Sequence, residues 1–267
     1  MSPFRRERVY ASVELDRVAL VRLGADGVPR DEAVIDLALD PEHPEEWSKA
    51  ARATLAVPSL RNVPRIVVLS DRLVRYVVME RPQGVRSSAE LRLACEARFQ
   101  TSFERPAAEW EIAIDARPFA RDVFACGVSR RLLDAVRGLF AAEGSVASVQ
   151  PFLVCELQRL ARRLPAECWF IAVARDCVTL AGIRHGVCRF VRVLASDQPT
   201  LQTIRDALER EALLTGEIAP DAPVLIAGVV EGDAAASDMR RLDAPAWGAQ
   251  TSSWASGFRL ALAARWS

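Results

Sequence analysis

The residue types best suited to chemistry in this 267-residue chain sit in two short polar turns, Glu14-Leu15-Asp16-Arg17 and Ala174-Arg175-Asp176-Cys177. Each follows an apolar run, VYASV before the first and WFIAV before the second. A carboxylate at such a turn can order a cation, and an arginine beside it can hold a phosphate through charge-assisted hydrogen bonds. Aspartate also favours tight turns for the sake of its own backbone, and that plain structural role is the preferred one for Asp16 and Asp176. A further glycine, in Ile226-Ala227-Gly228-Val229, lies within another apolar run, VLIAGVV.

Other chemistries lack material. The two histidines lie in separate loop-like stretches, His43 in PEHPEEW and His185 in IRHGV, and read as solvent-facing loop residues rather than as a catalytic base, which needs an oriented partner. Cys95, Cys126, Cys155, Cys168, Cys177 and Cys188 are widely spaced, without the C-x-x-C pattern of zinc and redox sites, and read as buried free thiols. No G-x-x-x-x-G-K-[ST] loop is present. With 35 basic and 35 acidic residues no net field draws the chain to nucleic acid or to anionic lipid, and the dominance of arginine, Lys49 being the sole lysine, reads as solvated charge. The start, MSPFRRERVYASVELD, lacks the apolar core of a signal peptide, and no run approaches the roughly 18 to 20 apolar residues of a membrane span. The expectation is a cytoplasmic protein without direct membrane insertion.

The elements that must position the two turns repeat along the chain. Residues 8–70 run RVYASVEL, a turn at Asp16 and Arg17, VALVRL, a glycine turn in GADGV, then EAVIDLAL, a helix over Pro44 to Ala53 and the buried-type strand RIVVLS. Residues 168–230 run WFIAVA, a turn at Arg175 and Asp176, CVTLAGI, a turn in RHGV, then CRFVRVL, a helix over Pro199 to Thr215 stopped by Gly216, and VLIAGVV. The order is βββαβ twice, as expected of an internal duplication. The second helix carries Leu201, Ile204, Leu208 and Ala212 as one apolar stripe.

Between the copies, Ser87 and Glu90 form a capping-box pattern opening a helix with Leu91, Cys95 and Phe99 on one face. The strands WEIAIDA and DVFACGV follow, then a helix with Leu132, Leu133, Val136 and Leu139 ending near Gly144. This predicts a small inserted α/β subdomain over about residues 72–149. Pro151 then opens a helix, FLVCELQRLARRL, that closes the first lobe before Pro165. The expected lobes are 1–165 and 166–267. Trp47, Trp110 and Trp169 read as core, while Trp247, Trp254 and Trp266 cluster where an interface could form.

Two βββαβα halves with an insertion in the first resemble the actin-like ATPase superfamily, with its duplicated ribonuclease H-like lobes. The stretches SDRLVRYVVMERPQGVRSSAELRLACEARF, WEIAID, ACGVSRRLLDAVRGLF, SVQPFLVCELQRLARRLP and DALEREALLTG resemble the PilM family of type IV pilus assembly and the cytoplasmic region of the GspL family of type II secretion. SGFRLALAAR resembles the terminal helix of actin-like proteins. GspL carries a membrane helix and a periplasmic domain with no counterpart up to Ser267, so the arrangement is nearer to PilM. The resemblance implies a cytoplasmic scaffold, held at the inner membrane by a bitopic PilN-like partner and contacting an assembly ATPase. It assigns no partner-binding residue.

Active members of the superfamily place an Asp-x-Gly turn after the first strand of each half, where glycine lets backbone N–H groups approach phosphate. Glycine is absent from both turns here, and the adenosine-side turn keeps only Gly228 of a usual pair. Glu14, Asp16, Arg175, Asp176 and Gly228 are therefore the residues of an expected degenerate nucleotide cleft. Arg17 or Arg175 could replace the missing N–H groups with charge. No cofactor is expected, with ATP and magnesium, in an active ATPase or kinase, as the alternative.

Overall fold

The computed structural model describes residues 7–24, 29–54, 63–115, 121–141, 145–196, 199–216, 218–219, 221–228 and 239–242. Trp247, Trp254, Trp266, the expected terminal helix, Gly144 and most of the GADGV turn lie outside the described residues.

Both expected repeats are present, and they match strand for strand. In the first, β1 (Arg8–Val13), β2 (Arg17–Leu23) and β3 (Pro29–Asp36) form an antiparallel meander, α1 (Pro44–Thr54) follows, and β4 (Arg65–Leu69) returns parallel to β1. Two further strands, β5 (Arg75–Glu80) and β7 (Asp122–Ser129), flank α2 (Ser88–Phe103) and β6 (Trp110–Asp115), before α3 (Arg130–Ala141), β8 (Val146–Pro151) and α4 (Phe152–Leu160). The second repeat is β9 (Glu167–Val173), β10 (Cys177–Arg184), β11 (Val187–Ala195), α5 (Leu201–Thr215), β12 (Val224–Gly228) and β13 (Arg240–Leu242). The sheets run β3-β2-β1-β4-β8 and β11-β10-β9-β12-β13, the same order of roles.

The duplication extends to single hydrogen bonds. The Glu14 N–H donates to the Arg17 carbonyl at 2.9 Å, and the Ala174 N–H donates to the Cys177 carbonyl at 3.0 Å. Leu37 N–H reaches the Asp16 carbonyl and Ser196 N–H the Asp176 carbonyl, while Val9 and Trp169 N–H groups donate to the carbonyls of Pro64 and Pro223. Asp16 and Asp176 are thus structural equivalents.

The central strands β1, β4 and β9 are buried on both faces, which is why they read as continuous apolar runs. On one outer side α1 seats Trp47 and Ala51 over the first sheet, and α5 seats Ile204, Ala207 and Leu208 over the second. Each large side chain so buried contributes roughly 1.5–3 kcal/mol. Between the sheets α4 inserts Phe152, Leu153, Cys155 and Leu160 into one core with Tyr10, Val21, Ile66 and Val68 of the first sheet and Phe170, Ala172 and Ala181 of the second. The two lobes therefore share a hydrophobic core. All six cysteines are buried free thiols.

The insertion is a three-stranded sheet, β5-β7-β6, covered by α2. The Ser87 and Glu90 capping box forms as read, and Leu91, Cys95 and Phe99 face the sheet. A Cβ at Gly127 would lie 2.4 Å from Phe99 Cε1, so glycine there lets the helix approach. Two parts of the 72–149 segment belong elsewhere. α3 lies on α1, with Ser48 Oγ donating to the Ala135 carbonyl at 3.1 Å, and β8 is the fifth strand of the first sheet, parallel to β4. VASVQP gives little sign of this, because an edge strand with polar residues among its valines lacks a continuous apolar run. Pro151 is the N-cap residue rather than the first residue of α4, and the helix stops at Leu160 with a turn before Pro165.

Candidate functional site

The two polar turns meet. Each is a tight connection between antiparallel strands, β1 to β2 and β9 to β10, and the lobes present these connections to one another across the gap between the sheets. Arg175 Nε donates to Glu14 Oε2 at 2.9 Å, and its Nη2 donates to Asp16 Oδ1. One guanidinium from the second lobe thereby ties both acids of the first-lobe turn. Asp176 is held differently from its equivalent Asp16. It is buried and accepts the Ser70 hydroxyl at 2.9 and 2.8 Å from its two oxygens. Ser70 is positioned by the end of β4, its backbone N–H donating to the Val13 carbonyl at 2.9 Å.

Next to Ser70, Asp71 is fully buried. Its Oδ2 accepts the Thr179 hydroxyl of β10 at 2.7 Å, and its Oδ1 accepts the Leu153 N–H at 3.0 Å and the Tyr76 hydroxyl. The N-cap Pro151 offers no side-chain cap, so Asp71 satisfies one of the orphan N–H groups in the first turn of α4 from a distant part of the chain.

Burial dominates the electrostatics. It pushes the Glu14 carboxyl up to about 7, against the opposing pull of Arg175. Among the described residues Glu14 Oε1 is buried without a hydrogen-bond partner, consistent with a carboxyl whose charge is poorly supported. Burial also raises Asp71 to about 6, against the three donors that favour its ionised form. The Tyr76 phenol is pushed well up by burial and by Asp71, which keeps it a donor.

Glu14, Asp16, Arg175 and Asp176 are thus brought together, but their partners are one another and Ser70. Arg17 is turned to Asp36, its Nε donating at 2.7 Å. Gly228 ends β12 in register with Val173, at φ 112°, where a Cβ would lie 2.2 Å from the Val173 carbonyl oxygen. Its glycine is needed for that close strand contact. His43 is exposed and bonded to Asp40 at 2.9 Å, and His185 occupies the exposed β10–β11 turn. Among the described residues no group of three or more His, Cys, Asp or Glu side chains could hold a metal ion, and no helix is long and apolar enough to cross a membrane.

Ser70, Asp71, Tyr76 and Thr179 were not singled out in the sequence. The available signal was Ser70-Asp71, a polar pair directly after a fully buried strand.

No family model and no curated protein matches the chain. Solved structures do. The cytoplasmic domain of EpsL, an inner-membrane component of the type II secretion system of Vibrio cholerae, superposes with a TM-score of 0.57 at 13% identity, covering 90% of each chain. A PilM–PilN type IV pilus biogenesis complex gives 0.54 at 16% identity, over 78% of this chain and 66% of that one. A Bacteroides thetaiotaomicron protein with an actin-like ATPase fold and unknown function gives 0.56 at 10% identity, over 86% of each. The chain has the actin-like ATPase fold.

Proposed function

We propose that the chain is a scaffold in the inner-membrane assembly platform of a type IV pilus or type II secretion system, with an actin-like cleft that no longer turns over nucleotide. The observation that carries this reading is the Arg175 bridge to Glu14 and Asp16, in which the two turns that would flank a phosphate bind each other. A magnesium triphosphate fits this arrangement poorly. It would have to break the bridge, separate Ser70 from Asp176 and bring its negative charge beside Glu14, Asp16 and Asp176, with no glycine N–H groups in either turn to receive it.

The likeness to the EpsL cytoplasmic domain and to the PilM–PilN complex supports the assembly role and the kind of partner. The partner is a PilN-like bitopic protein whose cytoplasmic segment holds the chain at the inner membrane, and an assembly ATPase is a further contact. Co-purification with a PilN-like protein from the same organism tests this reading, combined with an assay of phosphate release from magnesium ATP. Binding without turnover is expected. Turnover lost in Asp16→Asn or Asp176→Asn would instead establish the alternative, an active ATPase or kinase.

A further inference from the structure

Asp71 ties four parts of the molecule together at a single side chain. It sits in the 3-10 turn after β4 and so belongs to the first lobe, and each of its three donors comes from a different unit. Thr179 is on β10 of the second lobe, the Leu153 N–H opens α4 between the sheets, and Tyr76 is on β5 of the insertion. Among the described residues every group at hydrogen-bond distance from the carboxylate is a donor, so each holds the same charged acceptor.

Tyr76 is itself packed into the strand pair that carries the insertion. Its ring stacks on Phe124 of β7, with centroids 5.8 Å apart and planes 15° apart. Both rings join the interlobe core, where Val191 and Val193 of β11 also pack. Arg189 of β11 forms an ion pair with Asp122 at the start of β7. The β5–β7 pair therefore straps the edge of the second sheet while its tyrosine reaches the carboxylate that holds the second lobe and α4. A displacement of this strand pair cannot leave Asp71 untouched.

We infer that Asp71 couples the position of the insertion to the closure of the two lobes, so that pulling Tyr76 away loosens the hold on Thr179 and α4 and opens the cleft. The coupling rests on the reading above, in which the Arg175 bridge holds the two lobes closed on each other, and adds a route by which a protein bound to the insertion changes the rest of the scaffold. The distances are set by packed, bonded elements with few intermediate positions, so the response is a second population rather than a gradual drift.

The test measures the distance between the lobes directly. Lys49 on α1 and Glu209 on α5 are exposed, and the native cysteines are buried, so Lys49→Cys and Glu209→Cys accept spin labels selectively. Tyr76→Phe keeps the ring and its stacking on Phe124 and removes only the hydroxyl. Thr179→Val keeps the side-chain volume and the strand preference. The parent should give one narrow distance, each variant should add a longer population, and the double variant should resemble the single ones because both act on one carboxylate. A narrow distance in Tyr76→Phe alongside an open population in Thr179→Val would overturn the coupling and leave the closed lobes standing. A broad distribution in the parent would remove the closed-lobe reading itself.

Discussion

Ser70 and Asp176, 106 residues apart in sequence, are joined by the serine hydroxyl donating to the aspartate carboxylate at 2.8–2.9 Å. The bond crosses from the end of β4 in one lobe to the β9–β10 turn in the other. Beside it, Arg175 crosses in the opposite sense to Glu14 and Asp16. The two turns expected to flank a phosphate are here each other's ligands.

Replacing Arg175 with alanine removes both ionic ties and takes the guanidinium donor away from the buried Glu14. Arg175 is partly exposed and Glu14 can take up a proton, so the cost is about 2 kcal/mol rather than the full penalty of a bare buried charge. Thermal unfolding should fall by roughly 4–8 °C on the scale expected for a protein of this size. Arg175→Lys, which keeps the charge but cannot span both acids with one planar group, should recover only part of the loss.

Stability should decline as pH rises through the acid to neutral range. Burial raises Glu14 from 4.5 to about 7 and Asp71 from 3.8 to about 6, so the folded chain holds these protons more tightly than the unfolded one. Arg175 and Arg17 oppose the Glu14 shift and Asp176 adds to it. The contribution of Glu14 is fully present below about 4.5 and is lost as pH approaches 7, at about 1.4 kcal/mol per pH unit in between. Urea midpoints at pH 5.5 and 7.5 check it: the parent should be more stable at the lower pH, and Glu14→Gln should reduce the difference. An unchanged difference in that variant would mean that other groups set the slope.

Gly228→Ala should be strongly destabilising, by about 3 kcal/mol or more, although a single methyl is added. The new Cβ would meet the Val173 carbonyl at 2.2 Å, and φ 112° is a conformation that alanine rarely adopts. Gly84→Ala is the control, since its φ of 86° also disfavours alanine but among the described residues nothing lies within 4 Å of the added atom. Urea unfolding of the two variants should separate the steric cost from the backbone cost.

The duplicated fold was legible because each central strand is a buried apolar run closed by a short turn, signals that reside in adjacent residues. The α2 capping box was legible for the same reason, since Ser87 and Glu90 satisfy one another locally. The four clustered site residues Glu14, Asp16, Arg175 and Asp176 were marked by their turns, but their pairing across the lobes was not. Ser70, Asp71, Tyr76 and Thr179 escaped notice because their partners are set by tertiary packing and leave no local pattern. β8 was missed because a short edge strand beside a proline reads more strongly as a helix entry.

Thermal unfolding with and without millimolar magnesium ATP tests the closed, nucleotide-silent scaffold most directly. A ligand at a hundredfold excess over its Kd would stabilise the folded chain by about 2.7 kcal/mol, a rise of several degrees at roughly 2–4 °C per kcal/mol. Lobes tied to each other through Arg175 should give no shift. A rise of several degrees that requires magnesium would show that the cleft opens to nucleotide, and would contradict the silent scaffold.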